Sequence, residues 1–207
     1  MPWRTERARW RWPPILASLA AMSGFACGGG NEIEHISPVP RIGTGPAYDL
    51  EPTGPAAAAG RPIGSMRCAR AVRKRFGAHL EILIGRVDLV VPAGIGVAPP
   101  RVRDGAYVRS GSCWYPARTR EPTGLIEIDE GTRLHLGDFF SIWGQPLSSR
   151  RVARFSAPRG QSIAGFVNGH RWRGDPNAIP LTRHSAIVLR VSGSFPPTKR
   201  YVFPPSL

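Results

Sequence analysis

The hydrophobic pattern of the chain changes near residue 66, where regularly spaced apolar positions begin. Residues 79–84 (HLEILI), a Gly85-Arg86 turn and the following VDLVVPAGIGV predict a β-hairpin. Residues 124–130 (GLIEIDE) alternate between apolar and polar side chains, which is typical of a half-buried strand. Residues 185–191 (SAIVLRV) predict a further strand.

Between these strands, one segment has a helical period instead. Residues 136–144 carry Leu136, Phe139, Phe140 and Trp143 at helical spacing and end at Gly144. Further along, the pair Asn168-Gly169 is the signal for a tight type I′ hairpin turn. Strands, one short helix and then more strands predict a small α+β fold, a mixed sheet wrapping one helix in a β-grasp-like arrangement.

The first 65 residues have a different composition. Residues 1–26 combine a basic start with the apolar run ILASLAAMSGFA, as a secretory signal peptide does. That run is too short to span a bilayer, and the alternative is a short amphipathic or buried helix. Residues 27–65 are rich in Gly, Pro and Ala without any period, which predicts a disordered tether. We therefore expect a signal peptide (1–26), a tether (27–65) and one α+β envelope domain (66–207).

The tetrapeptide at residues 24–27 (GFAC) resembles the bacterial lipobox, although Gly24 stands where Leu is usual. The resemblance implies that Cys27 becomes the mature N-terminus and carries a diacylglycerol thioether and a further acyl chain such as palmitate. Two acyl chains anchor a protein stably to a membrane. The expected location is the extracytoplasmic side of the cell envelope. The alternative is a soluble secreted protein, because Gly24 and Ala26 also suit an ordinary secretory peptidase.

The cysteine count fits that location. If Cys27 carries lipid, Cys68 and Cys113 remain as an even pair in an oxidising compartment. We expect a disulfide between them, the alternative being two unrelated buried thiols.

The chain is strongly basic, with 28 Lys and Arg against 14 Asp and Glu among 207 residues, a formal charge of +14. A protein with this excess of positive charge could bind an acidic partner. The basic residues are scattered, however, without a run of five or six like charges. We expect no specific nucleic-acid binding.

Enzymatic signatures are weak. Residues 110–115 (SGSCWY) resemble the nucleophile segment of papain-like proteases, whose His follows by about 130–150 residues. Only 94 residues follow Cys113 (207 minus 113), and Tyr107 stands where the oxyanion-hole Gln is needed. The chain has no zincin, Walker or Gly-x-Ser-x-Gly motif. We expect no catalytic site, cofactor or metal, because the histidines at 35, 79, 135, 170 and 184 are widely spaced.

Five segments in order (residues 78–97, 112–129, 134–147, 166–181 and 201–207) resemble an uncharacterised family of bacterial and archaeal envelope proteins, secreted or lipid-anchored. Members of that family carry His-x-His-x-His-Leu before the first hairpin, Leu-His-Thr-His-Asp after the second cysteine and one more His in the next strand. Histidines that alternate along a strand lie on one face. The resemblance therefore implies a face suited to a transition metal in the family.

This chain departs from the family at those positions. The first segment reads RFGAHL, so that His79 alone survives, and the second reads ARTRE, ending at Glu121. Glu127 replaces the strand histidine. Arginine offers no lone pair to a metal, so a His-based metal site cannot operate here.

Three functional hypotheses follow. The first is a non-catalytic, lipid-anchored envelope protein, a degenerate member of the family. The second is an anion-binding envelope module in which Arg75, Arg118 and Arg120 converge where the histidines were. Glu121 and Glu127 could equally neutralise those arginines in a salt-bridged patch. A metal-dependent or hydrolytic enzyme is the third. Expected partners are a membrane, through the lipid, and an anionic ligand.

Overall fold

A mixed β-sheet with one helix against it forms the centre of the described chain. The structure is a computed structural model, and it describes residues 53–85, 87–194 and 200–207 and the backbone of residues 41–42. The predicted signal peptide, Cys27 and most of the predicted tether lie outside the described residues. No helix in the described ranges is long and apolar enough to cross a membrane.

The elements are, in chain order, β1 (Arg41–Ile42), α1 (Pro55–Ala58), β2 (Arg75–Ile84), β3 (Val87–Leu89), β4 (Val97–Ala98), β5 (Val102–Asp104), β6 (Tyr107–Ser110), β7 (Cys113–Trp114), β8 (Ala117–Arg118), β9 (Leu125–Asp129), α2 (Leu136–Trp143), β10 (Leu147–Ser148), β11 (Arg151–Val152), β12 (Phe155–Ser156), β13 (Ala164–Val167), β14 (His170–Arg171), a 3-10 helix (Pro176–Ala178) and β15 (Ala186–Ser192).

The long strands β2 and β15 lie side by side in parallel at the centre of the main sheet, with Leu80 opposite Ile187. The other pairings of β2, with β3 and β9, are antiparallel. β8 extends the sheet beyond β9, and β13 and β14 extend it beyond β15. The predicted α+β class with a mixed sheet and one short helix is therefore confirmed.

The predicted hairpins and helix are also present. β2 and β3 pair antiparallel with Ile84 opposite Val87. The hairpin of β13 and β14 turns at Asn168 and Gly169, whose φ angles of 51° and 79° are the left-handed values that a type I′ turn requires. Helix α2 ends at Gly144, which is also left-handed, so the residue types at both turns match their backbone demands.

Helix α2 packs its apolar side onto one face of the sheet. Phe139, Phe140 and Trp143 are buried, and the rings of Phe140 and Trp143 lie 5.3 Å apart. The sheet contributes the alternate positions of its central strands, among them Leu80 and Ile126, to the same core. Each buried side chain of this size contributes about 1.5–3 kcal/mol by leaving water.

Residues 53–65, which the composition assigned to the tether, pack against this core. Ala57 in α1 is fully buried. Gly54 approaches Gly144 so closely that a Cβ at Gly54 would lie 2.7 Å from the Gly144 Cα. The packed part of the chain therefore begins before the predicted boundary at residue 66, because a Gly/Ala-rich segment can dock by close backbone approach without a hydrophobic period.

The predicted disulfide between Cys68 and Cys113 is confirmed, with the two Cα atoms 5.4 Å apart. It connects the segment before β2 to β7, across a sequence separation of 45 residues. Closing a loop of this length removes conformational entropy from the unfolded chain, about 4 kcal/mol in the chain-entropy account. The disulfide thus ties the chain on both sides of the sheet's first long strand.

Candidate functional site

The face of the sheet that turns away from α2 is unusually polar. Strand alternation places Arg75, Gly77 and His79 of β2 on this face, because Ala78 and Leu80 between them belong to the core on the other side. In β9, Glu127 lies opposite Gly77 and Asp129 lies opposite Arg75. The arginine cluster defined below lies on this face.

Arg118 is the buried centre of the arginine cluster, which consists of Arg75, Arg118 and Arg120 with the carboxylates of Glu127 and Asp129. It is 0% exposed. β8 pairs with β9 so that Arg118 lies opposite Glu127. Its Nη1 donates to Asp129 Oδ1 at 2.8 Å and to the Tyr115 carbonyl at 3.0 Å, and its Nε donates to Glu127 Oε2 at 3.2 Å.

All three arginines converge on one oxygen. Glu127 Oε2 lies 2.9 Å from Arg75 Nε, 3.2 Å from Arg118 Nε and 3.3 Å from Arg120 Nε. Only the Arg118 contact has hydrogen-bond geometry, since the Nε atoms of Arg75 and Arg120 are buried without a hydrogen-bond partner in the described part of the chain. The three arginines therefore converge around an internal carboxylate, that of Glu127, which the salt-bridge alternative named, whereas Glu121, its other carboxylate, forms no ion pair among the described residues.

Arg120 is fixed in place by two aromatic rings. Its guanidinium carbon lies 4.5 Å from the centroid of the Trp114 ring and 5.8 Å from that of Tyr107. Its Nη1 donates to the Tyr107 hydroxyl at 3.1 Å. Cation–π contacts of this kind hold a guanidinium at little further entropic cost when a ligand arrives. Arg120 is thus preorganised at the edge of the cluster.

A cavity of about 210 Å³ opens beside the exposed edge of the cluster. Its polar wall comprises Arg75, Tyr107, Arg120, Glu121 and Glu127, and its apolar wall comprises Leu125, Pro204 and Leu207. Arg118 does not line it. The contacts of Arg75 with described residues use Nε alone, and those of Arg120 use Nε and Nη1. Both Nη groups of Arg75 and the Nη2 group of Arg120 therefore remain for a ligand.

The charges around the cavity nearly balance. Glu121 lines the cavity but lies outside the ion pairs of the cluster, and its Oε1 accepts a hydrogen bond from the Thr123 hydroxyl at 3.3 Å. The three arginines exceed Glu127 and Asp129 by one positive charge, and Glu121 cancels that excess. A bound anion would therefore be attracted by Arg75 and Arg120 and repelled by Glu121.

His79 has a structural environment. It is 1% exposed, its Nε2 lies 2.9 Å from the Thr123 carbonyl oxygen, and its ring stacks on Tyr201 at 3.8 Å. Gly77 leaves room that Phe203 and Leu207 fill, since a Cβ there would lie 2.9 Å from Phe203 Cδ1. The end of the chain thus covers the part of the face nearest His79.

The described residues contain no group of three or more His, Cys, Asp or Glu side chains that could hold a metal ion.

Beneath the cluster, Tyr115 is buried and its hydroxyl donates a hydrogen bond to the Arg61 carbonyl oxygen. Burial raises the pKa of the Tyr115 phenol above its usual value, and the positive charge of Arg61 opposes that rise.

Sequence reasoning missed three members of this site, namely Asp129, Tyr107 and Trp114. Asp129 follows Glu127 by two residues, so strand alternation places it on the same face and could have identified it. Tyr107 and Trp114 come from other strands and carry no local signal, because their approach to Arg120 depends on how β6 and β7 pack.

Comparison with known proteins adds no relative to this description. No protein-family model matches the chain, and neither a curated protein nor a solved structure matches it.

Proposed function

We propose that the chain is a non-catalytic, lipid-anchored envelope protein whose folded domain binds a small molecule bearing a carboxylate in the cavity beside Arg75 and Arg120. The observation that carries the proposal is the set of guanidinium N–H groups at that cavity that have no partner among the described residues. Arginine forks bind carboxylates through paired, charge-assisted hydrogen bonds. The apolar wall of Leu125, Pro204 and Leu207 suits a ligand with a short aliphatic part.

Arg118 has a different role in this proposal from the one that the sequence suggested. Its side chain is fully buried and occupied by Glu127, Asp129 and a carbonyl. It therefore holds the two carboxylates in place, and through Glu127 it positions Arg75 and Arg120. The ligand-binding groups are Arg75 and Arg120, with the Tyr107 hydroxyl beside them.

The proposal includes descent from the resembled envelope family with loss of its histidine site. The positions at which that family has histidines and which lie on β2 and β9 share one face of the sheet in this chain. They are Arg75, Gly77, His79 and Glu127. This arrangement supports the idea that a shared face has been kept while its chemistry has changed from metal ligation to charge pairing.

A titration of the mature protein with isobutyrate, followed by amide chemical shifts, tests binding. We expect saturable shifts at the amides of Arg120 and Leu125, and no saturation with isobutyramide, the neutral isostere. Arg75→Gln should weaken isobutyrate binding by about tenfold, the loss expected for one charge-assisted contact.

Arg109→Gln is the matched control, because Arg109 does not line the cavity and pairs with Asp104 in an exposed ion pair. It removes the same charge and should leave the affinity within about twofold, since the Arg109 guanidinium makes no contact with the cavity and its charge is already paired with Asp104. Equal binding of isobutyrate and isobutyramide, or equal losses in the two variants, would refute the carboxylate site. The cluster would then be a salt-bridged support for the sheet, as its convergence on Glu127 also suggests.

The anchor is tested separately by mass spectrometry of the mature N-terminus. We expect a peptide beginning at Cys27 that carries a diacylglycerol group and a further acyl chain. Cys27→Ser should release the protein from the membrane fraction. Wild-type protein with an unmodified Cys27 in the soluble culture fraction would contradict the anchor and leave the cavity proposal standing.

A further inference from the structure

Glu121 places a negative charge at the cavity beside Arg75 and Arg120 that a carboxylate ligand does not use. Its side chain lines the cavity and forms no ion pair among the described residues. The Thr123 hydroxyl donates to Glu121 Oε1 at 3.3 Å and accepts from the Leu125 amide at 3.4 Å. The Glu121 carboxylate is therefore held within about 7 Å of the Leu125 nitrogen, the length of the two hydrogen bonds laid end to end.

The arginines lie at the other end of the same cavity wall. Leu125 and Glu127 are alternate residues of β9, so both lie on the polar face, with their Cα atoms about 6.8 Å apart at the usual strand rise. The Nε atoms of Arg75 and Arg120 lie 2.9 Å and 3.3 Å from Glu127 Oε2. The cavity thus has guanidinium donors at its Glu127 end and the Glu121 carboxylate at its Leu125 end.

This spacing matches the two charged groups of an α-amino acid. The ammonium nitrogen and the carboxyl carbon of an amino acid are about 2.5 Å apart, because both are bonded to Cα. Charge-assisted hydrogen bonds of about 2.8 Å at both ends then require the protein acceptor and the protein donor to lie within about 9 Å of each other. Two residues along one strand give a separation of this size.

The charge and size of the site also suit such a ligand. The three arginines are balanced by Glu127, Asp129 and Glu121, so the site has no net charge to attract an anion and suits a zwitterion, whose own charges cancel. The cavity volume of about 210 Å³ is smaller than the about 300–1,000 Å³ of sites for drug-sized molecules. Its apolar wall leaves room for a short aliphatic side chain.

We propose that the cavity beside Arg75 and Arg120 binds a free α-amino acid with a short aliphatic side chain, and that Glu121 binds its ammonium group. This inference rests on the proposed carboxylate site and adds a second recognition element to it. The cavity could therefore bind carboxylates without selecting amino acids. A residue at the end of a peptide has only one of the two charged groups on its Cα, so the free amino acid is the ligand that uses both.

The test compares α-aminoisobutyrate with isobutyrate, which differ only by an ammonium group in place of one hydrogen. Both are titrated into the mature protein and followed by amide chemical shifts. We expect the wild type to bind α-aminoisobutyrate about tenfold more tightly, the gain of one charge-assisted contact. Isopropylamine, which keeps the ammonium group and lacks the carboxylate, should give no saturable shifts over the same range.

Glu121→Gln should reverse the order of the two affinities. It removes the acceptor for the ammonium group, which lowers α-aminoisobutyrate affinity by about tenfold. It also removes the repulsion of a simple carboxylate, which raises isobutyrate affinity several-fold. Glu130→Gln is the matched control, because Glu130 does not line the cavity and pairs with Arg183 in an exposed ion pair. It loses the same charge and should leave both affinities within about twofold.

The outcomes separate this inference from the proposed function. Saturable isobutyrate binding without a preference for α-aminoisobutyrate would overturn the amino-acid ligand and leave the carboxylate site standing. The same conclusion would follow from an order that is unchanged in Glu121→Gln, or from equal losses of α-aminoisobutyrate affinity in Glu121→Gln and Glu130→Gln. Failure of both compounds to bind the wild type would refute the carboxylate site as well.

Discussion

At the scale of single residues, Arg118 controls the polar face. A fully buried guanidinium is expensive to remove from water, and its attraction to Glu127 and Asp129 offsets that cost only while the geometry is kept. Its Nη2 is buried without a hydrogen-bond partner among the described residues, so the cluster is incompletely satisfied. The stability of this face therefore depends on both carboxylates remaining paired.

We predict that Arg118→Gln lowers the free energy of unfolding by about 3–5 kcal/mol, because it leaves the buried carboxylate of Asp129 without its ion-pair partner and removes from Glu127 a contact with hydrogen-bond geometry. Arg109→Gln, which breaks the exposed pair with Asp104, should cost less than about 1 kcal/mol. Urea denaturation of both variants measures the difference. Similar small losses in the two variants would contradict a structural role for Arg118.

Tyr115 makes the stability of the domain fall at alkaline pH. Because burial raises the pKa of its phenol, the unfolded chain releases the Tyr115 proton at a lower pH than the folded chain does. The contribution of the protonated Tyr115 phenol to the free energy of unfolding is therefore complete below about pH 10, and it is lost as the pH rises through the pKa of Tyr115 in the folded state.

We predict that Tyr115→Phe flattens the fall in melting temperature between about pH 9 and 11, while lowering stability at neutral pH by about 1 kcal/mol through the lost hydrogen bond to Arg61. Thermal melts across this pH range measure the effect. An alkaline fall as steep in Tyr115→Phe as in the wild type would show that another group sets the limit.

At the scale of elements, Ala57 tests whether the residues before the predicted boundary belong to the domain. We predict that Ala57→Glu destabilises the protein by at least about 2 kcal/mol, since it places a charge in the core. Ala59→Glu, at an exposed position of the same segment, should cost less than about 0.5 kcal/mol. Equal effects would mean that α1 does not contribute its packing to stability.

The elements that the sequence predicted well are those with local determinants. Asn168-Gly169 and Gly144 demand left-handed backbone, and α2 has a helical hydrophobic period, so each is determined by neighbouring residues. The parallel pairing of β2 with β15 joins residues about 100 positions apart in the sequence. The hydrophobic period of a strand shows which of its faces is buried, but it does not show which other strand lies beside it. The alternation of side chains along a strand predicts that the arginines share one face. Their ion pairs with Glu127 and Asp129 depend instead on the register between β8 and β9, which the sequence does not specify locally.

At the scale of the whole molecule, the net charge of +14 is not distributed evenly. At the arginine cluster and its cavity, three carboxylates balance three guanidinium groups. The net charge therefore says little about binding at this cavity, because the local balance of charge decides which anion it can hold.

The most direct test of the carboxylate site compares two adjacent residues of opposite charge. Isobutyrate affinity is measured for the wild type, Arg120→Gln and Glu121→Gln in about 0.5 M sodium chloride, where the Debye length is about 4 Å and remote charges are screened. We predict a loss of about tenfold in Arg120→Gln and a gain of several-fold in Glu121→Gln, because at this ionic strength only groups that line the cavity act on the ligand. Affinities that stay equal in all three proteins, or that fall in both variants, would contradict it.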